Sequence, residues 1–178
     1  GAYKIFRNIL SSKNHLFYFK KSYYPEIKEL KRINMKINQF QPDLLIAVGG
    51  GSVIDYAKIA NVLKFSENLE SQIENSNYKL IKKRFNLLVI PTTAGSGAEV
   101  TSNAVIYINK TKYSIENKSI LPDEFLLIPE LIVGASKKIK ASAGFDAIAQ
   151  SIESLLSLKS NEKSVYYAKK SLQISFKN

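Results

Sequence analysis

The chain has 178 residues, of which 45% are apolar and 23% charged, and this balance supports a folded core and excludes a disordered chain. It contains no cysteine, which excludes disulfides and thiolate metal sites. Its longest apolar runs, such as residues 44–48 and 87–90, are too short to span a bilayer, and its first residues lack the layout of a signal peptide. We therefore expect a soluble cytoplasmic protein without a membrane partner.

The net charge of +11 comes from 26 lysines and arginines against 15 acidic residues. Only three of the cations, Arg7, Arg32 and Arg84, are arginine, whereas nucleic-acid readout depends on arginine forks. The lysines are scattered along the chain without a long basic run. Nucleic acid is therefore excluded as a main partner, although the charge can still attract a small anionic substrate.

The first forty residues predict a helix over residues 1–10, a strand over residues 16–19 and a second helix over residues 25–40. Pro25 suits the first turn of that second helix. Its apolar side chains recur at helical spacing, at Ile27, Leu30, Ile33, Ile37 and Phe40.

A continuous apolar run at residues 44–48 predicts a parallel strand that is buried on both faces. A turn of three glycines and a serine follows, and then a helix begins. Its apolar side carries Val53, Ala57, Ala60 and Leu63. The polar residues 66–77 predict a loop.

A second buried strand is predicted over residues 87–90. Residues 104–108 and 112–115 flank Asn109-Lys110-Thr111 and predict a β-hairpin, and residues 125–128 predict a short strand.

The last part of the chain predicts helices only. Ser142 is expected to cap a helix that runs to about Ser157, and residues 161–176 predict a final helix. The alternation of strand, glycine turn and helix before this point indicates an α/β sheet. The change in composition predicts a domain boundary between residues 133 and 140.

The glycine turn, which we define as Gly49, Gly50, Gly51 and Ser52, is the first candidate site. Glycine allows a sharp turn and a close approach to a ligand, and a helix N-terminus attracts phosphate through its unpaired N–H groups. The spacing is neither G-x-G-x-x-G nor a Walker loop. A simple connector between strand and helix therefore remains the alternative.

Two further segments carry polar groups. Thr92, Thr93 and Ser96 follow the second buried strand, at the edge where open α/β sheets bind ligands, or they form a turn that satisfies its own backbone. Asp146 and Gln150 lie four apart on one helix face and could share a cation. A neutral amide is a poor ligand for a transition metal, so a solvated polar face is the favoured alternative.

Taken in order, four segments of the chain resemble the iron-containing (group III) alcohol dehydrogenase family. The resemblance covers most of the chain from about Pro25 onward. The matching segments are residues 43–58 (DLLIAVGGGSVIDYAK), 91–101 (PTTAGSGAEVT), 121–131 (LPDEFLLIPEL) and 142–154 (SAGFDAIAQSIES).

This resemblance implies an α/β fold with a Rossmann-like parallel sheet and helices, of the dehydroquinate-synthase type, over residues 1–135. The start of a truncated all-helical metal-binding domain would follow over residues 136–178. The implied cofactor is NAD or NADP, with its pyrophosphate on the glycine turn and its nicotinamide ribose near Lys112. The residues implied in cofactor binding are Gly49, Gly50, Gly51, Ser52, Asp55, Thr92, Thr93, Ser96 and Lys112.

The sequence departs from the family at three places. Asp146 matches the first metal ligand, but Gln150 stands where the common pattern has histidine, as in a branch that resembles phosphonoacetaldehyde reductases. The two other histidine ligands of the family would lie beyond residue 178, and His15 matches neither of them. Between residues 19 and 25 a helix and a strand of the family are missing. We therefore expect an incomplete catalyst, in which binding of iron or zinc is doubtful.

The predicted function is NAD(P)-dependent interconversion of a small alcohol and its aldehyde by metal-assisted hydride transfer. The expected substrate is a short aldehyde or alcohol, either uncharged or carrying a phosphonate or phosphate group. A homodimer is one possible assembly. The alternatives are a glycerol dehydrogenase or a dehydroquinate-synthase-like lyase on the same scaffold. A non-catalytic remnant that binds a nucleotide is the third alternative.

Overall fold

The computed structural model describes residues 2–10 and 14–177, and the chain divides into two compact units. The first, which we call the α/β unit, comprises Gly1–Pro91 and Ala98–Ile128. The second, the helical unit, comprises Thr92–Gly97 and Pro129–Asn178. Within the described ranges, none of the helices has the length and apolar character needed to cross a membrane.

The α/β unit contains a parallel sheet of three strands, which confirms the predicted α/β class. Strand β1 (Leu44–Gly49) pairs with β2 (Asn86–Pro91), and β2 pairs with a strand of two residues that comes later in the chain. Ala47, Leu87 and Val89, which share one face of the sheet, are buried in one cluster. Ile46, Val48 and Leu88 on the other face are only partly buried, so the predicted burial of these strands on both faces is incomplete.

A separate hairpin joins β3 (Asn103–Ile108) to β4 (Thr111–Glu116) in antiparallel register. Asn109 and Lys110 form its two-residue turn with φ values of 47° and 68°. Positive φ at both positions is typical of the primed turns that match the twist of hairpin strands. The hairpin prediction is therefore confirmed, and the last strand of the unit, β5 (Glu124–Phe125), follows it.

In its described residues the α/β unit also contains the helices α1 (Ala2–Ile9), α2 (Ile27–Phe40), α3 (Gly51–Val62) and α4 (Leu69–Glu74). A short 3-10 turn (Lys118–Ile120) precedes β5. Helix α3 is the centre of the core, since it contacts β1, β2, β3 and α2. The apolar side chains of α3 and of its neighbours that are at most 1% exposed include Leu30, Ile54, Ile59, Val62 and Leu63.

Four predictions for the α/β unit are wrong in detail. Residues 16–19 pair with no strand in the described parts of the chain. Helix α4 lies where a loop was predicted, because Leu69 and Ile73, four residues apart, are both buried. Pro25 precedes α2 instead of opening it, since its carbonyl accepts the Tyr107 N–H at 2.7 Å. The strand predicted over residues 125–128 is reduced to β5.

The helical unit contains α5 (Glu130–Val133), α6 (Lys137–Leu156) and α7 (Glu162–Ser175). Helix α6 begins at Lys137, because Ser136 accepts the Ile139 N–H and caps it. The prediction of Ser142 as the cap is therefore wrong. The first turn of α6 contains three lysines instead of the acidic residues that usually indicate a helix start. Helix α7 begins as predicted, with Asn161 as its cap.

Candidate functional site

The glycine turn lies where the parallel strands β1 and β2 end side by side, with Gly49 opposite Pro91. A Cβ on Gly49 would lie 2.8 Å from Val53 Cβ, so a larger residue would clash with the helix that follows. Gly50 occupies the N-cap position with extended backbone angles, and it provides no side-chain cap. The amides of the first turn of α3 are therefore free of a side-chain cap, as an anion-binding helix start requires.

A lysine that the sequence did not single out lies against this helix start. Lys20 Nζ donates to Ser52 Oγ at 2.7 Å and to the Tyr23 carbonyl at 2.8 Å. Burial lowers the pKa of Lys20, and the nearby charge of Glu29 opposes that shift. Lys20 and Ser52 lie 32 residues apart in sequence, so no local sequence pattern predicts their contact.

The segment that carries Lys20 is fixed by the buried carboxylate of Glu29. The backbone N–H groups of Lys21 and Ser22 donate to it at 2.6 and 2.7 Å. Tyr56 of α3 joins the same cluster, with its hydroxyl 2.8 Å from Ser22 Oγ. Burial alone would raise the pKa of Glu29, but these hydrogen bonds, chiefly from Ser22, lower it. An ionised Glu29 thus anchors the segment beside α3.

Lys112 lies in the α/β unit close enough to Asp55 to influence the pKa of its carboxylate. Asp55 accepts the Val105 N–H at 3.2 Å. Burial raises the pKa of Asp55 to about 6, against the opposing effects of the Val105 N–H, Lys58 and Lys112. Lys112 is exposed on β4. Asp55 therefore ties α3 to the hairpin strand β3, while the ammonium of Lys112 stays accessible.

Lys58 is a second lysine whose part in this region the sequence did not reveal. Its side chain is fully buried, and Nζ donates to the carbonyls of Ala98, Thr101 and Asn103 at 2.9, 2.7 and 2.6 Å. Burial lowers its pKa to about 8, although Asp55 opposes the shift. Lys58 thereby fixes the chain between residues 98 and 103 against α3.

The candidate residues of the second polar segment lie in the helical unit. A Cβ on Gly95 would lie 2.6 Å from the Ala143 carbonyl oxygen, so the backbone of Thr92–Gly97 contacts α6 at a distance that only glycine permits. Thr92 and Thr93 line a small cavity of about 120 Å³ with Lys140, and Ser96 is half-buried in the same segment. This cavity can hold only part of a ligand, because small-molecule sites usually measure about 300 Å³ or more.

The candidate metal ligands Asp146 and Gln150 are both exposed on α6. Across residues 2–10 and 14–177, no three histidine, cysteine or acidic side chains are grouped so that they could hold a metal ion. A catalytic ion usually needs three protein ligands, and this pair supplies one carboxylate and one neutral amide. The donor set does not fit a catalytic metal site. His15 is exposed in the α/β unit, where its ring contacts Phe17 at 5.1 Å.

Comparison with known proteins gives consistent matches. The family model for iron-containing alcohol dehydrogenase matches residues 1–129. An alcohol dehydrogenase from Thermococcus barophilus is 31% identical over 86% of the chain and 42% of its own length. A 4-hydroxybutyrate dehydrogenase from Clostridium kluyveri is 31% identical over 84% of the chain and 40% of its own length.

Among solved structures, a sulfoacetaldehyde reductase from Bifidobacterium kashiwanohense in complex with NAD+ superposes with a TM-score of 0.75. It is 26% identical and covers 86% of this chain and 42% of its own. The chain thus spans less than half the length of these relatives.

Proposed function

The chain belongs to the iron-containing alcohol dehydrogenase family, and from this premise we propose that it binds NAD or NADP with the diphosphate on the glycine turn. The observation that carries the proposal is the start of α3, which follows the carboxyl end of a parallel strand and has no side-chain cap. Such a helix start binds phosphate through its N–H groups and its dipole. The NAD+ complex of the similar reductase supports it.

The other cofactor residues follow from the same proposal. The hydroxyls of Thr92, Thr93 and Ser96 would line the cofactor, and the exposed Lys112 would reach the nicotinamide ribose. Asp55 would contribute by positioning strand β3, because its carboxylate accepts the Val105 N–H. Residues 1–135 would then form the dinucleotide-binding domain, shortened near residues 19–25, and residues 136–178 the beginning of the helical domain.

The activity we propose is oxidoreduction between a small alcohol and its aldehyde. The bound nicotinamide supplies or accepts the hydride, and the residues of this chain bind and orient the cofactor. Titration of the purified chain with NADH and NADPH by calorimetry tests the binding, with adenosine as the control for the base alone. Micromolar binding of at least one dinucleotide is expected, and failure of both to bind would exclude the proposal.

The substrate we propose is a short aldehyde that carries an anionic group, such as a phosphonate or a phosphate. The net charge of +11 favours capture of anions, and the relatives named above include enzymes for a sulfonate and a carboxylate. The test compares kcat/KM for phosphonoacetaldehyde and propanal in the full-length product of the gene. Electrostatic steering predicts a preference for the anion that shrinks with added salt, and equal efficiencies would contradict it.

A second candidate function is nucleotide binding without turnover, and the metal donor set favours it. Asp146 and Gln150 provide only two ligands, and the neutral amide of Gln150 suits a transition metal poorly, so we predict that the 178-residue chain purifies without stoichiometric iron or zinc. We also predict that it oxidises no simple alcohol at a useful rate. Elemental analysis of the purified chain checks the first point. One tightly held ion per chain would show that the donor set is larger than Asp146 and Gln150.

A further inference from the structure

Asp55 and Lys58 lie three residues apart on α3 and therefore share one face of the helix. Asp55 accepts the Val105 N–H at 3.2 Å, and Lys58 Nζ donates to the Asn103 carbonyl at 2.6 Å. Asn103 and Val105 are two residues apart on β3. One face of α3 thus holds the first half of this strand at two neighbouring points.

The ammonium of Lys58 is matched to the chain that enters the hairpin. Within the described residues all its hydrogen bonds go to neutral oxygens, those of Ala98, Thr101 and Asn103. Three of these acceptors are main-chain carbonyls, and an ammonium has three N–H groups to donate. A side chain without donors would take this partner from all three carbonyls, so the chain that enters β3 would have to move.

Lys58 is linked to Lys112 through the carboxylate of Asp55. Both ammonium groups oppose the rise that burial causes in the pKa of Asp55, so this carboxylate lies near both of them. Glu99 is the other acidic group whose charge acts on Lys58. Lys112 lies on β4 opposite Tyr107 of β3, so its backbone follows a shift of that strand. A change at Lys58 therefore reaches Lys112 through the hairpin and through the shared carboxylate.

We propose that Lys58 is a positioning residue for the cofactor site, which fixes the hairpin of β3 and β4 to α3 and thereby sets the position of Lys112. This inference rests on the proposed function for the roles of Lys112 and of the glycine turn. It adds a buried residue that does not touch the cofactor and acts through another side chain. Loss of Lys58 should therefore weaken the contacts of the nicotinamide half and spare those of the phosphates.

The test is a double-mutant cycle on the 178-residue chain, with NAD+ and ADP as the probes in calorimetry. Lys112→Gln should weaken NAD+ binding about tenfold, because a hydrogen bond from a charged donor is lost. Lys58→Met should weaken it by a similar factor, since it displaces the same donor. Independent losses would multiply to about a hundredfold in the double variant, whereas losses through one contact leave about tenfold. ADP binding should not change in any of the three variants.

Two further variants serve as controls. Lys64→Met removes an exposed ammonium just beyond the end of α3 and should bind both probes like the wild type. Lys58→Gln keeps an amide that can still donate, so it should lose less NAD+ affinity than Lys58→Met. It replaces Lys58→Met in the cycle if thermal melting shows that the methionine variant does not fold.

The other outcomes separate this inference from the proposed function. Multiplied losses in the double variant would overturn the inference, as would unchanged NAD+ binding in a folded Lys58→Met chain. Equal weakening of NAD+ and ADP in that variant would show general damage to α3 and would also overturn it. If the wild type binds NAD+ but Lys112→Gln does not weaken binding, the inference alone fails. A wild type that binds no dinucleotide would overturn the proposed function itself, and the inference with it.

Discussion

The two units of the chain differ sharply in how they bury apolar side chains. Of the buried apolar residues in the described ranges, all but Ala168 belong to the α/β unit. In the helical unit many large apolar side chains are exposed, including Val133, Ile139, Phe145, Ile152, Leu156, Leu158, Tyr166, Tyr167, Ile174 and Phe176. The α/β unit thus has a core of its own, whereas α6 and α7 contact each other but bury few apolar side chains.

We expect the largest difference in the free energy of unfolding when the same Ile→Ala substitution is made in each unit. Ile59→Ala on α3 removes a side chain that is 0% exposed, so it should lower the free energy of unfolding by about 2–5 kcal/mol. Ile174→Ala on α7 truncates a side chain that is 57% exposed and should cost within about 0.5 kcal/mol. Urea denaturation measures both. Equal losses would contradict the division into a packed and an unpacked unit.

The pH dependence of stability should distinguish the buried Asp55 of the α/β unit from an exposed carboxylate of the helical unit. Burial raises the pKa of Asp55 from 3.8 to about 6. Because the folded value exceeds the unfolded one, the stabilisation is complete below about pH 4 and is lost as the pH rises through 6. The loss amounts to about 3 kcal/mol by linkage.

Asp55→Asn keeps an acceptor for the Val105 N–H and should remove this part of the pH dependence. The measurement is the free energy of unfolding between pH 4 and 7. Asp146→Asn, which replaces an exposed carboxylate of the helical unit, is the control. A wild-type slope in Asp55→Asn would show that another group causes it.

The smallest predicted effect concerns the cap of α6. Ser136→Ala removes the acceptor of the Ile139 N–H and should destabilise the start of α6 by about 1 kcal/mol. Ser142→Ala lies within α6 on an exposed position and should have no such effect. The rate of hydrogen exchange at the Ile139 amide measures the effect in both variants, and we expect it to rise in Ser136→Ala only. Faster exchange in Ser142→Ala instead would restore the later helix start that the sequence predicts.

The features that the sequence predicted well are those with a local cause. The apolar runs of β1 and β2, the glycines before α3 and the turn at Asn109 and Lys110 each specify their structure within a few residues. Helix α4 was not predicted, because only Leu69 and Ile73 are buried in an otherwise polar stretch. Residues 16–19 have the composition of a strand, but pairing depends on a neighbouring strand, which composition does not reveal.

The candidate site shows the same limit. The glycine turn could be found from its residues, since a helix start after a buried strand has a sequence signature. The position of Lys20 depends on Glu29 and Tyr56, which lie 9 and 36 positions further along the chain. Contacts of that kind arise from packing, so only the structure reveals them.

The most direct test of the account is NAD+ binding by a variant of the glycine turn. A branched side chain in Gly51→Val is expected to cover the first amides of α3 and weaken binding at least tenfold, about 1.4 kcal/mol. Gly134→Val is the matched control, because a Cβ at Gly134 meets nothing within 4 Å. Calorimetry should show weaker binding in the first variant alone, with thermal melting confirming that both fold. Wild-type affinity in a folded Gly51→Val chain would contradict the placement of the cofactor on this turn.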